Sequence, residues 1–105
     1  MTEISDSIAP QAVRLKAGEI KKIREAVYEY DKDARIYIFG SRADLNKKGG
    51  DLDILVISKR IAPSQRRFIK VNMYKALGEQ KIDIIVTEEV NSPFLKMALK
   101  TGVRL

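Results

Sequence analysis

Apolar positions along the chain repeat with two different periods, and the places where the period changes mark out the elements. Between Pro10 and about Asp33, Val13, Leu15, Ile20, Ile23, Val27 and Tyr30 follow a mostly helical spacing. Pro10 suits a helix start there, and Gly18 is a point at which the segment can divide into two helices. Residues 1–9 show no sustained period and read as a loose lead-in. Arg35-Ile-Tyr-Ile-Phe39 then reads as a strand, ended by Gly40-Ser41. A polar loop, residues 44–50, leads to Asp51-Leu-Asp-Ile-Leu-Val-Ile57, whose apolar run on both faces predicts a central strand.

The period lengthens again from Pro63 to Glu79, where Phe68, Val71, Met73, Tyr74 and Leu77 are the expected packing residues of a helix closed by Gly78. Lys81-Ile-Asp-Ile-Ile-Val86 is a third strand. Asn91-Ser-Pro93 opens a last helix to about Lys100, before Gly102. The order helix, strand, strand, helix, strand, helix predicts an α/β fold, a small mixed sheet covered by helices. A chain of 105 residues holds one such domain.

Composition narrows the chemistry. The sequence contains no cysteine and no histidine, so thiolate and imidazole ligands, nucleophiles and bases are excluded, and acid–base or metal work falls to carboxylates. No apolar run approaches the roughly 20 residues that span a bilayer, and MTEISDSIAP lacks the layout of a signal peptide, which suggests a cytoplasmic protein. The net charge of +6 is spread over Lys21, Lys22, Arg24, Arg66, Arg67, Lys70 and Lys75 in helical segments, the pattern of solvated helix faces. Tyr28, Tyr30, Tyr37 and Tyr74 are scattered and form no stacking platform, which argues against direct nucleic-acid binding.

Asp51 and Asp53 are two apart at the start of a strand, so they share a face with Cα atoms roughly 6.5 Å apart. Two ionised carboxylates in one small volume repel each other unless a cation lies between them, and Mg²⁺ prefers such hard oxygen ligands. A D-x-D pair alone is more often a polar strand end facing water. Asp83 interrupts a run that otherwise reads as buried, where an unpartnered charge would cost several kcal/mol. Either a salt bridge to a nearby Lys or Arg or a metal ion shared with the first pair would offset that cost. Three carboxylates from two adjacent strands could hold two ions about 3.5–4 Å apart.

Gly40-Ser41 follows the first strand at a point where a glycine lets backbone approach an anion and the next residues can open a short helix. Ser41 adds a hydroxyl donor, while Arg42 could meet phosphate or cap the turn. Lys47 and Lys48 stand in the loop before Gly49-Gly50, either to approach a polyphosphate or as a solvated tip. The glycines supply a permissive backbone for re-entry into the strand.

Taken together, Ile38-Phe39-Gly40-Ser41-Arg42-Ala43, the ten-residue step from Ser41 to Asp51, Gly50-Asp51-Leu52-Asp53-Ile54-Leu55-Val56 and the later Asp83 form a recognisable pattern. It resembles the minimal nucleotidyltransferases of the DNA polymerase beta superfamily, over about residues 20–105. The resemblance implies a nucleotidyltransferase fold in which Gly40 and Ser41, with Arg42 at a frequent family position, hold a nucleoside triphosphate. It also implies two Mg²⁺ ions on Asp51, Asp53 and Asp83. The implied reaction moves a nucleoside monophosphate, AMP from ATP in the expected case, onto a hydroxyl of a macromolecular acceptor. Small enzymes of this type are often paired with an all-helical HEPN-type toxin that they bind and adenylylate, so such a partner is the expected acceptor. A rival reading is an antitoxin-like interaction module that keeps the fold without catalysis; all three carboxylates being present argues against it.

Overall fold

The computed structural model describes residues 13–46, 50–78 and 80–105. Four strands form one mixed sheet in the order β3-β2-β1-β4, where β1 is Arg35–Phe39, β2 Leu52–Ile57, β3 Ile82–Thr87 and β4 Val103–Arg104. Helix α1 spans Ala17–Tyr28, α2 Arg66–Leu77 and α3 Pro93–Thr101, with short 3₁₀ turns at Gly40–Ala43 and Pro63–Gln65. The small mixed sheet covered by helices is the architecture expected from the sequence.

β1 pairs antiparallel with β2 and β4, whereas β2 and β3 run parallel. Parallel neighbours need a crossover, and α2 is that crossover. Alternation along each strand sends Ile36, Ile38, Ile54, Val56, Ile82 and Ile84 to one face, into a core with α1 and α2. Phe39, Leu55 and Ile57 go to the other face and pack with Ala98 of α3. β2 is apolar on both faces, as its sequence indicates, because both faces are covered.

The first helix starts later than its apolar spacing suggests. Val13 and Leu15 are buried, yet they sit in a turn, and α1 begins only at Ala17, where Glu19 accepts the Lys16 N–H at 3.0 Å in a capping arrangement. Gly18 falls in the first turn of α1 and divides nothing. Pro10 and the lead-in lie outside the described residues, as do Lys47, Lys48, Gly49 and Glu79. On α2 the buried residues are Ile69 and Met73, four apart, so Phe68 and Val71 point to solvent rather than into the core. Gly78 ends that helix at φ 86°, its N–H donating to the Tyr74 carbonyl at 3.0 Å. α3 is capped as its sequence predicts: Ser92 accepts the Leu95 N–H at 3.1 Å and Pro93 occupies the first turn. β4 is an addition, a two-residue strand after Gly102 that pairs Val103 with Ile38 and Arg104 with Tyr37.

Candidate active site

The antiparallel register sets Phe39, the last residue of β1, opposite Asp53, and the parallel register sets Asp53 opposite Asp83. Residues in register on neighbouring strands share a face, so Asp53 and Asp83 stand side by side about 4.8 Å apart along the sheet. This is the face that carries α3. The α3 helix packs beneath β1 and the Gly40–Ala43 turn, and the start of β3 is open to solvent. Asp83 is therefore exposed and Asp53 half-buried, which corrects the expectation of a buried Asp83. The several-kcal/mol cost of an unpartnered buried charge does not arise at Asp83; the crowding of carboxylates around Asp53 takes its place.

Partial burial is the main cause that pushes the Asp53 carboxyl above its ordinary value. The negative charges of Asp83 and then Asp51 raise it further, Lys81 works in the opposite sense, and a hydrogen bond between the Asp53 and Asp83 carboxyls adds to the rise. Asp51 lies one residue before β2 and turns toward Lys81, whose Nζ is 3.4 Å from its Oδ2. Both groups of that pair are substantially exposed, so it contributes about 0–1 kcal/mol and is readily displaced. Among the described residues no three acidic side chains converge on one point to hold a metal ion. The donor types nonetheless fit a hard divalent cation: Asp53 and Asp83 stand side by side in register, and Asp51 already faces a positive charge in the exposed ammonium of Lys81.

The turn beside this pair is locked by reciprocal close approaches. Gly40 has φ 71°, and a Cβ there would meet Asp53 Oδ2 at 2.5 Å; Gly50 has φ 91°, and a Cβ there would run into the Ser41 hydroxyl. Positive φ and absence of a side chain are both required at these two positions. Gly40 opens a 3₁₀ turn, as its sequence suggests, and Gly50 provides the re-entry into β2.

Arg42 is spent on the protein itself. Its Nε donates to the Gly50 carbonyl at 3.3 Å, Nη1 to the Arg14 carbonyl at 3.2 Å and Nη2 to Gln80 Oε1 at 3.1 Å. Of the two roles open to it in the sequence, the geometry matches the one that holds the turn. Arg14, which the apolar pattern does not single out, completes the clasp: Nη2 donates to the Ser41 carbonyl at 2.7 Å and Nε to the Asp44 carbonyl at 3.0 Å. Lys81 is a second residue without a sequence signal, since its relation to Asp51 depends on how the strands lie together.

The basic helix residues are engaged elsewhere. Lys22 donates to the Ala76 carbonyl at 3.1 Å, Arg66 to the Ile84 carbonyl at 3.2 Å, and Arg24, Arg67 and Lys70 lie over Tyr28, Phe68 and Tyr74. They act as helix-face charges, in keeping with the sequence reading.

Acids from two neighbouring strands beside a glycine turn form a frame for phosphoryl chemistry, and comparison with known families decides which. The sequence profile of the family described as polymerase beta, nucleotidyltransferase, matches residues 21–105. The chain belongs to that family. The matched segment of this nucleotidyltransferase contains β1, the turn, β2, α2 and β3, and so every acid of the site. A search of curated proteins found no match. No helix among the described residues is long and apolar enough to cross a membrane.

Proposed function

We propose that the protein is a metal-dependent nucleotidyltransferase that moves AMP from ATP onto a hydroxyl of a macromolecular acceptor, a HEPN-type helical toxin that it thereby neutralises in the cytoplasm. The observation that carries the catalytic part is the side-by-side register of Asp53 and Asp83 next to Gly40. Family membership supports the reaction class, and members of this family usually use divalent metal. ATP, the acceptor and the partner rest on the resemblance of the motifs.

In this reading the triphosphate lies along Gly40 and Ser41, where the lack of a side chain lets phosphate approach the backbone. Arg42 and Arg14 act as positioning residues, fixing the turn against the strand that carries Asp53. Asp51, Asp53 and Asp83 would hold two Mg²⁺ ions, which when bound lower the pKa of the acceptor hydroxyl and neutralise charge on the departing pyrophosphate. Asp83, the exposed member, orients the acceptor hydroxyl. The acceptor oxygen bonds to the α-phosphorus, the α–β bridging bond breaks, pyrophosphate leaves, and the hydroxyl proton passes out to water.

The test is incubation with labelled ATP and Mg²⁺, with and without a HEPN-type partner. Label on the partner that disappears when Asp51 and Asp53 are both changed to Asn supports the reading. Full neutralisation of the partner by that double variant would show an interaction module that works by binding alone.

A further inference from the structure

The exposed large apolar side chains among the described residues fall into two places. Phe68 and Val71 are on the outer side of α2, whereas Leu45 at 57%, Phe94 at 50% and Met97 at 48% exposure line one groove of about 750 Å³. The groove runs between the Gly40–Ala43 turn with its following loop and α3, and it reaches Phe39 and Gly40. Its size is that of a small-molecule site. Converging apolar exposure of this kind marks a binding surface rather than incidental hydrophobicity.

The location restricts the occupant. Phe39 is the register partner of Asp53 and Gly40 packs against the Asp53 carboxylate, so groove and acid pair share a border on the β1 side. Asp83 stands on the far side of Asp53, on β3. Among the described residues no Lys or Arg lines the groove and the acidic Asp44 stands in its wall, so these residues disfavour phosphate away from the Gly40 end. What remains of a nucleotide whose phosphates lie at Gly40 is its nucleoside. Phe94 offers a surface fixed in advance: Phe39 holds its ring edge-to-face, with centroids 5.9 Å apart and planes at 81°.

The geometry points to this groove as the nucleoside subsite, with the base stacked on Phe94 beside Met97 and with Asn46 as a polar group at its wall. This deepens the proposed function and rests on it, since it takes the triphosphate to lie at Gly40 and Ser41.

Calorimetry with Mg²⁺-ATP and with Mg²⁺-tripolyphosphate, which has the phosphates without the base, tests it. The unaltered chain should bind ATP at least about tenfold more tightly than tripolyphosphate. Phe94→Ala should weaken ATP by about 5- to 150-fold, the range of base–aromatic stacking, and leave tripolyphosphate unchanged. Phe94→Tyr should restore ATP binding, Met97→Ala should weaken it in the same selective way, and Phe68→Ala should change neither ligand. Equal affinity of the unaltered chain for ATP and tripolyphosphate overturns the subsite while sparing the proposed function. So does an unchanged ATP affinity in both Phe94→Ala and Met97→Ala; if those variants also lose transfer, the groove belongs to the acceptor. If neither ligand binds the unaltered chain, the proposed function falls and the subsite with it.

Discussion

Gly40 and Asp53 are built against each other: the glycine has φ 71°, and its missing side chain is the space in which the Asp53 Oδ2 sits. Turn and acid therefore form one unit, and the turn cannot acquire a side chain without moving the acid.

Gly40→Ala is expected to damage activity and stability together. The conformation costs about 1–3 kcal/mol for a non-glycine residue, and the new Cβ displaces the carboxylate. Misplacement by about 1 Å is worth on the order of a hundredfold in rate. Thermal melting and turnover measured on one preparation check this, and a variant with native melting and full turnover would refute the coupling.

Asp53→Asn should separate the two properties. Turnover is expected to fall on the order of a hundredfold or more, as for loss of a group that stabilises transition-state charge. In EDTA the melting temperature should hold or rise, because a carboxylate crowded by Asp83 and Asp51 has become neutral. Mg²⁺ should raise the melting temperature of the unaltered chain and do so less for the variant. A fall in EDTA would contradict the crowding.

Arg42→Lys is expected to be nearly as harmful as Arg42→Ala. Three separate nitrogens reach Gly50, Arg14 and Gln80, and an ammonium cannot reproduce that fork. Loss of these bonds should cost about 1–3 kcal/mol in denaturant unfolding. Turnover should fall with it, as the turn loosens from the strand. A lysine variant with native stability would show that the fork is dispensable.

Two aspartates impose opposite pH dependences on stability. Asp31, only 5% exposed, is held below its ordinary pKa first by the Ser58 hydroxyl, which donates at 2.6 Å, against the opposing effect of burial, with the Asp33 N–H at 2.9 Å assisting. A carboxyl with a depressed folded pKa contributes stability that is present above its unfolded value of 3.8 and is lost as pH falls through the folded one. Asp53 has a raised pKa, so without metal its contribution declines as pH rises from 3.8 through its folded value. Ser58→Ala should lower stability near neutrality by about 1–3 kcal/mol and flatten the acid limb. Asp53→Asn should remove the decline at higher pH. Urea unfolding from pH 3 to 8 reads both effects.

Three of the four strands were legible in the chain because strand alternation assigns faces residue by residue, whereas β4 is too short to show any alternation. Asp53 and Asp83 interrupt apolar runs, and such interruptions are conspicuous, while Asp51 is marked by its spacing of two from Asp53. Helix faces were less legible: Phe68 and Val71 have as apolar a pattern as Ile69 and Met73, and only the seating of α2 on the sheet decides which pair is covered. Val13 and Leu15 are buried by tertiary contact in a turn, which periodicity alone reads as helix. Arg42 has mainly backbone partners, and backbone partners leave no mark on residue types. The exposure of Asp83 depends on α3 lying under β1, a placement that no local pattern encodes.

That placement of α3 has a steric result. Among the described residues the acidic corner is a rim rather than the bottom of a cleft, so in the proposed reading none of them need step aside for an acceptor to bring its hydroxyl to Asp83. The surface of that visitor would then form the missing wall and shut out bulk water when it docks.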